Sequence, residues 1–195
     1  MLIKNIVIGI IAFVILITLW PKPQANWQGT LAAKDPRQTA DNLPSSWTKG
    51  KFTYTAKARY DITAVVLSKR NYWAGYEQDE ISPYDLALGW GPMSDSKNIN
   101  ALKISQDGRW YNYTWNTPPP IDQTTIAQHS ANNHIIPADN RVLDKIKTIH
   151  RHDLIHLKGY LVDVTLPNGW YWHTSTTRDD VASGSCEVFW VTDVL

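Results

Sequence analysis

Phe52-Thr-Tyr-Thr-Ala-Lys-Ala-Arg-Tyr60, followed by Ile62-Thr-Ala-Val-Val-Leu67, decides the fold class. Apolar and polar side chains alternate up to Tyr60, which is the period of a strand with one face on a core. β-Branched residues then extend the same element to Leu67. Downstream, Tyr84-Asp-Leu-Ala-Leu-Gly-Trp-Gly-Pro92 reads as a strand that turns into a tight loop. Leu102 to Ser105 leads through Asp107-Gly108 into Arg109–Trp115, a hairpin pattern closed by Pro118, Pro119 and Pro120.

The period then changes. Val142, Leu143, Ile146 and Ile149 recur at helical offsets, with Asp139 or Asn140 placed to cap a short helix within 138–149. Asp153–Thr165 is a strong strand, Pro167-Asn-Gly169 a turn, and Trp170–Thr174 and Cys186–Val191 a last pair of strands. The loop Arg178–Ser185 joins that pair. Three strands, a helix and two strands predict a mainly β domain, a small five-stranded barrel of the OB type, over residues 51–195. An SH3-like or other small β-barrel is the alternative. No internal repeat of solenoid or propeller length is present.

Upstream of this domain the sequence reads differently. Residues 21–50 are polar and contain Pro21, Pro23, Pro36 and Pro44, the composition of an extended tether. The plainer alternative packs Trp27, Leu31 and Trp47 back onto the domain. Leu2–Trp20 is apolar apart from Lys4 and Asn5 and reaches the length of about 17 residues at which a helix spans a bilayer. Trp20 suits a membrane interface, and Pro21 ends a helix there. A cleaved signal peptide is the rival reading, but no good small-residue cleavage site follows. Lys4 and the initiator amine favour an N-inside orientation. The expectation is a single-pass inner-membrane anchor over residues 1–20 with the domain outside the cytoplasm.

Composition bounds the chemistry. The 195 residues carry 19 basic and 18 acidic side chains for a net charge of +1, so a global basic field for nucleic acid is missing. A single cysteine excludes an intramolecular disulfide or a multi-cysteine metal cage. The aromatic count leans to 10 Trp and 9 Tyr against 3 Phe, rings whose polar edge suits half-wet surfaces. The chain contains no phosphate loop, nucleophile elbow, zinc-protease helix or calcium loop, and no cofactor is predicted.

Four groups of residues hold candidate chemistry. His129-Ser-Ala-Asn-Asn-His134 puts two imidazoles, His129 and His134, and two carboxamides, Asn132 and Asn133, into six residues. They read as a polar connection between third strand and helix, able to move protons or orient a ligand; the plainer reading is a loop locked by its Asn side chains. Arg178-Asp179-Asp180 with Cys186-Glu187 offers carboxylates, a guanidinium and a thiol, against the plainer readings of an exposed ion pair and a small buried side chain. His150, His152 and His156 share strand parity and are weak zinc candidates, more simply a solvated strand entrance. The fourth group is aromatic and includes Trp90, Trp110, Trp170 and Trp172, with rings on both strand faces.

Tyr84–Asp95, Gly108–Tyr111, His129–His134 and Arg178–Asp180 through Cys186-Glu187 resemble a group of uncharacterised bacterial proteins with one N-terminal membrane segment. The resemblance covers most of 84–191 and leaves out the tether. It implies an envelope location and carries no activity.

The leading expectation is a binding or assembly module that engages an envelope protein or glycan through Trp90, Asn132, Asn133, His134, Arg178 and Glu187. The alternative is a hydrolase, metal-assisted or not, using His129, His134, Asp179, Asp180 and Cys186. A third reading, an OB-type nucleic-acid binder, is disfavoured by the charge balance.

Overall fold

The computed structural model describes residues 6, 7, 10, 24–73, 75–116, 118–177 and 186–195. Its organising element is β3 (Phe52–Asn71), twenty residues long, which follows two short strands, β1 (Arg37–Thr39) and β2 (Trp47–Lys49). One edge of β3 pairs in turn with β2, β1 and β4 (Tyr84–Gly89); the other pairs with β8 (Leu154–Thr165). Register shifts between Ala56 and Ala58 and between Val66 and Ser68 bend the strand, as β-bulges do, and let it serve both partners.

The remaining ladders are β4 with β7 (Ser130–Pro137), β7 with β10 (Glu187–Val194), and β10 with β8. β7 and β10 run parallel and the other pairs antiparallel. Pairings therefore run β3–β4–β7–β10–β8 and return to β3. A two-residue strand, β9 (Tyr171–Trp172), extends the edge of β8. The expected mainly β architecture is what the molecule has. At Gly159 the backbones of β8 and β10 approach so closely that a Cβ would stand 1.9 Å from the Trp190 carbonyl oxygen.

β5 (Leu102–Asp107) and β6 (Trp110–Trp115) form a separate hairpin outside that circuit. The third strand of the circuit is β7, where the sequence reading placed a polar loop. All eight of its residues are buried, apolar packing covering the inner face and the β5–β6 hairpin and polar partners lying against much of the outer one. The helices are short: α1 (Glu77–Ile81), α2 (Ser96–Asn100), α3 (Gln123–Gln128) and α4 (Asn140–Thr148), with a 3₁₀ turn at Gly91–Ser94. α4 is the helix expected from periodicity, capped by Asp139 on the Val142 amide at 2.8 Å. Lys69 closes its other end, donating to the carbonyls of Ile146, Lys147 and Ile149 at 2.7–2.9 Å.

Three apolar clusters follow from this layout. The first fills the space inside the circuit with Tyr60, Ile62, Leu86, Ile135, Phe189 and α4. The second lies outside it around Tyr54, Val164 and Trp190, and the third sits beneath the β5–β6 hairpin around Leu67, Met93 and Ile126.

The described part of the expected tether is not extended away from the domain. Ala25 and Ala32 are buried, the Trp27 indole donates to the Ser94 carbonyl at 3.0 Å, and Trp47 stacks on Tyr54 at 5.8 Å. Backbone pairing through β1 and β2 outweighs the extended preference of the prolines. The packed-back reading of Trp27 and Trp47 is the one the molecule adopts. Of the expected anchor only Ile6, Val7 and Ile10 are described, and among the described residues no helix is long and apolar enough to cross a membrane. The rest of that expectation lies outside the described residues.

Candidate functional site

Strand parity builds the site. The β4–β7 register sets Asp85 directly opposite His134. The β7–β10 register sets Glu187 opposite Asn133, so Cys186, one residue earlier, falls level with Asn132. Side chains alternate across a sheet. Leu86, Ile135 and Phe189 point into the first cluster, and Asn133 and Glu187 share their parity. Asp85, Asn132, His134 and Cys186 have the opposite parity and gather on the outer face, between the second and third clusters.

Asp85 is fully buried, which makes its partners obligatory. Its Oδ1 accepts from His134 Nδ1 at 2.9 Å and from Arg109 Nη1 at 2.8 Å. Its Oδ2 accepts from Asn132 Nδ2 at 3.4 Å. Arg109 arrives from the β5–β6 turn, where Gly108 and Arg109 both have positive φ, the pattern of two-residue hairpin turns. The other arm of its guanidinium donates to Asp79 Oδ1 at 2.6 Å and to the Ser82 carbonyl at 2.8 Å. Its Cζ lies 4.0 Å from the Tyr72 ring centroid and 5.4 Å from that of Trp172. One cation thus ties the hairpin, α1 and β4 together.

The carboxylate also fixes the imidazole. An acceptor at Nδ1 requires the proton to sit there, so the neutral His134 ring presents Nε2 as a lone pair. The ring packs against Trp172 at 4.8 Å. Asn132 is oriented in the same way: its Oδ1 accepts from Gln106 at 2.7 Å, which turns Nδ2 towards the Arg109 carbonyl at 3.0 Å and Cys186 Sγ at 3.9 Å.

Above this floor opens a cavity of about 720 Å³, within the range of small-molecule sites. Asp79, Arg109, His134 and Cys186 line its base, and Tyr72, Tyr76, Trp110, Tyr171 and Trp172 its walls. Burial pushes the Tyr72 hydroxyl above its ordinary range, and the Asp85 charge adds to the shift, so Tyr72 stays a neutral phenol. Among the described residues four large aromatic rings are strongly exposed: Trp73, Tyr76 at 76%, Trp110 at 46% and Tyr171 at 56%. Three of these four edge this one cavity.

The candidates read from sequence divide accordingly. His134, Asn132 and Cys186 come together. Asn133 and Glu187 are buried on the opposite parity, among the core. Trp90 is 1% exposed and belongs to the first cluster, so it presents no ring to a partner. His129 ends α3, with Nδ1 on the Thr125 carbonyl at 2.9 Å and its ring over Gly91, away from the cavity. Arg178, Asp179 and Asp180 lie outside the described residues. His150 faces Asp153, His152 packs edge-on against Trp27 at 5.9 Å, and His156 bonds Asp61 at 2.6 Å. Burial and the neighbouring Arg151 lower the His152 pKa. Among the described residues no group of three or more His, Cys, Asp and Glu could hold a metal ion.

Sequence reasoning passed over Asp85, Arg109 and Asp79, and named Tyr72 only as one ring of the aromatic group. A signal existed for Asp85, the one carboxylate in an otherwise apolar strand. Arg109, placed directly after a turn glycine, gave a weaker one. Comparison of the chain with protein-family models, with curated proteins and with solved structures returned no match.

Proposed function

We propose that this protein is a binding module of the bacterial envelope, held at the inner membrane by its N-terminal segment, whose cleft takes a glycan. The observation that carries the reading is the gathering of three exposed rings, Tyr76, Trp110 and Tyr171, around one cavity with a charged and hydrogen-bonding floor. Exposed aromatic faces cost free energy in water and stack on the apolar faces of sugar rings, while polar groups beneath them fix the orientation of hydroxyls and amides. The apolar run Leu2–Trp20, and the envelope location implied by the resemblance of most of 84–191 to uncharacterised bacterial proteins with one N-terminal membrane segment, support the location.

The domain is read as an OB-like barrel. The strand circuit β3–β4–β7–β10–β8, the parallel pair β7–β10 and a helix between the third and fourth strands support that description. A nucleic-acid ligand fits the cleft poorly, because the cation at its base, Arg109, is already engaged by two carboxylates.

Soluble amino-sugar oligosaccharides titrated into the full-length chain test the glycan reading. Saturable quenching of tryptophan fluorescence is expected, weakened about tenfold or more by Trp110→Ala and by Tyr171→Ala. Both side chains are exposed enough to be removed without unfolding the domain. An absence of saturation, or variants that bind like the parent, contradicts it.

A further inference from the structure

We infer that the cleft is also a thiol active site, in which Cys186 is the nucleophile, His134 its general base and Asp85 the residue that positions His134; this rests on the proposal that the cleft receives a ligand. Two independent observations converge. The thiol lines the base of the cavity, with an Asn132 amide donor 3.9 Å from its sulfur. His134, its side chain 5% exposed, lines the same cavity; Asp85 occupies Nδ1, and Nε2 has no hydrogen-bond partner among the described residues. Cys186, the residue before β10, falls two residues from His134 in the β7–β10 register and shares its parity, so both side chains reach the same cavity. An imidazole and a thiol lining one cavity, with a buried carboxylate behind the imidazole fixing its tautomer, have the role structure of a Cys–His–Asp triad, which is recognised by geometry and not by chain order.

Among the described residues, the titratable and charged groups that line the thiol's cavity are Arg109 from the hairpin turn, Asp79 from α1, His134 from β7, His173 beyond β9, and Tyr72, Tyr76 and Tyr171; Asp85 of β4 lies behind His134 and Arg109, and Glu187 has the opposite parity. The guanidinium and the imidazole both favour a thiolate.

The chemistry is acyl transfer from an amide or ester carried by the bound ligand. Nε2 of His134 takes the thiol proton as Sγ bonds to the carbonyl carbon. The bond to nitrogen or oxygen then breaks, and the leaving amine or alcohol takes that proton. Water, deprotonated by the same nitrogen, attacks the thioester; the carbon–sulfur bond breaks and the proton returns to sulfur. No oxidant, reductant or metal is needed.

Cys186 is the chain's single cysteine, so alkylation reports on it alone. The second-order rate of iodoacetamide labelling of the full-length chain is measured against pH, with the intact mass as readout. The expected profile has its midpoint at least about one unit below the ordinary thiol value of about 8.5. His134→Gln is expected to slow labelling about tenfold or more at about pH 6.5, and Asp85→Asn to shift the same profile upward. Exposure to 4-nitrophenyl acetate is expected to leave an acetyl group on Cys186 of the parent and not of His134→Gln. A midpoint near 8.5 that His134→Gln does not move, or a thiol labelled only after unfolding, overturns the inference. Should a variant fail to fold, the parent profile decides alone. An ordinary thiol in a chain that still binds oligosaccharide removes only this inference. A reactive thiol in a chain that binds none removes only the glycan reading.

Discussion

Arg109 occupies a backbone conformation that side chains other than glycine enter at a cost, with φ at +68°. Its compensation is the set of bonds to Asp85, Asp79 and Ser82 and the stacking on Tyr72. Truncation to alanine leaves Asp85, fully buried, and Asp79, whose side chain is 9% exposed, without their cation. Breaking a buried pair from one side costs about 3–5 kcal/mol. Arg109→Ala is therefore expected to lose stability of that order in chemical denaturation. Arg109→Lys should recover only part of it, because an ammonium cannot fork to two carboxylates. A near-neutral Arg109→Ala would show that this cluster does not hold the hairpin to the sheet.

Among the elements, β7 shows most clearly what the sequence conceals. Ser-Ala-Asn-Asn-His has the composition of a loop, and composition alone argues for one. What makes it a strand is tertiary: β4 and β10 satisfy its backbone from either side, Gln106 and Asp85 satisfy its outward polar groups, and the first apolar cluster covers its inner face. None of these partners is local in sequence. By contrast β3, β8, α4 and the β5–β6 turn were legible, because their periods and caps are properties of neighbouring residues. The β8–β10 contact is a second element-scale feature set by distant chain. A methyl group at position 159 would meet the Trp190 backbone, so Gly159→Ala is expected to cost about 1–3 kcal/mol through overpacking. A parent-like melting temperature for Gly159→Ala would contradict the close approach.

At the scale of the whole molecule, the outer face of β4, β7 and β10 is where the apolar packing stops. The second cluster covers one side and the hairpin with its third cluster the other, and the gap between them is the polar-floored cavity. The segment before β3 belongs to this arrangement, since Trp27 ties to the 3₁₀ turn and Trp47 to the second cluster. Tryptophans thereby divide by role. Trp47, Trp90 and Trp190 are packed, while Trp110 and Trp172 border the cavity. That division makes the indole N–H signals of the full-length chain a direct test of the cleft. On titration with amino-sugar oligosaccharide, the signals of Trp110 and Trp172 are predicted to shift to saturation while those of Trp90 and Trp190 stay in place. Shifts at Trp90 or Trp190 with Trp110 and Trp172 unmoved, or no shift at any indole, would contradict the account.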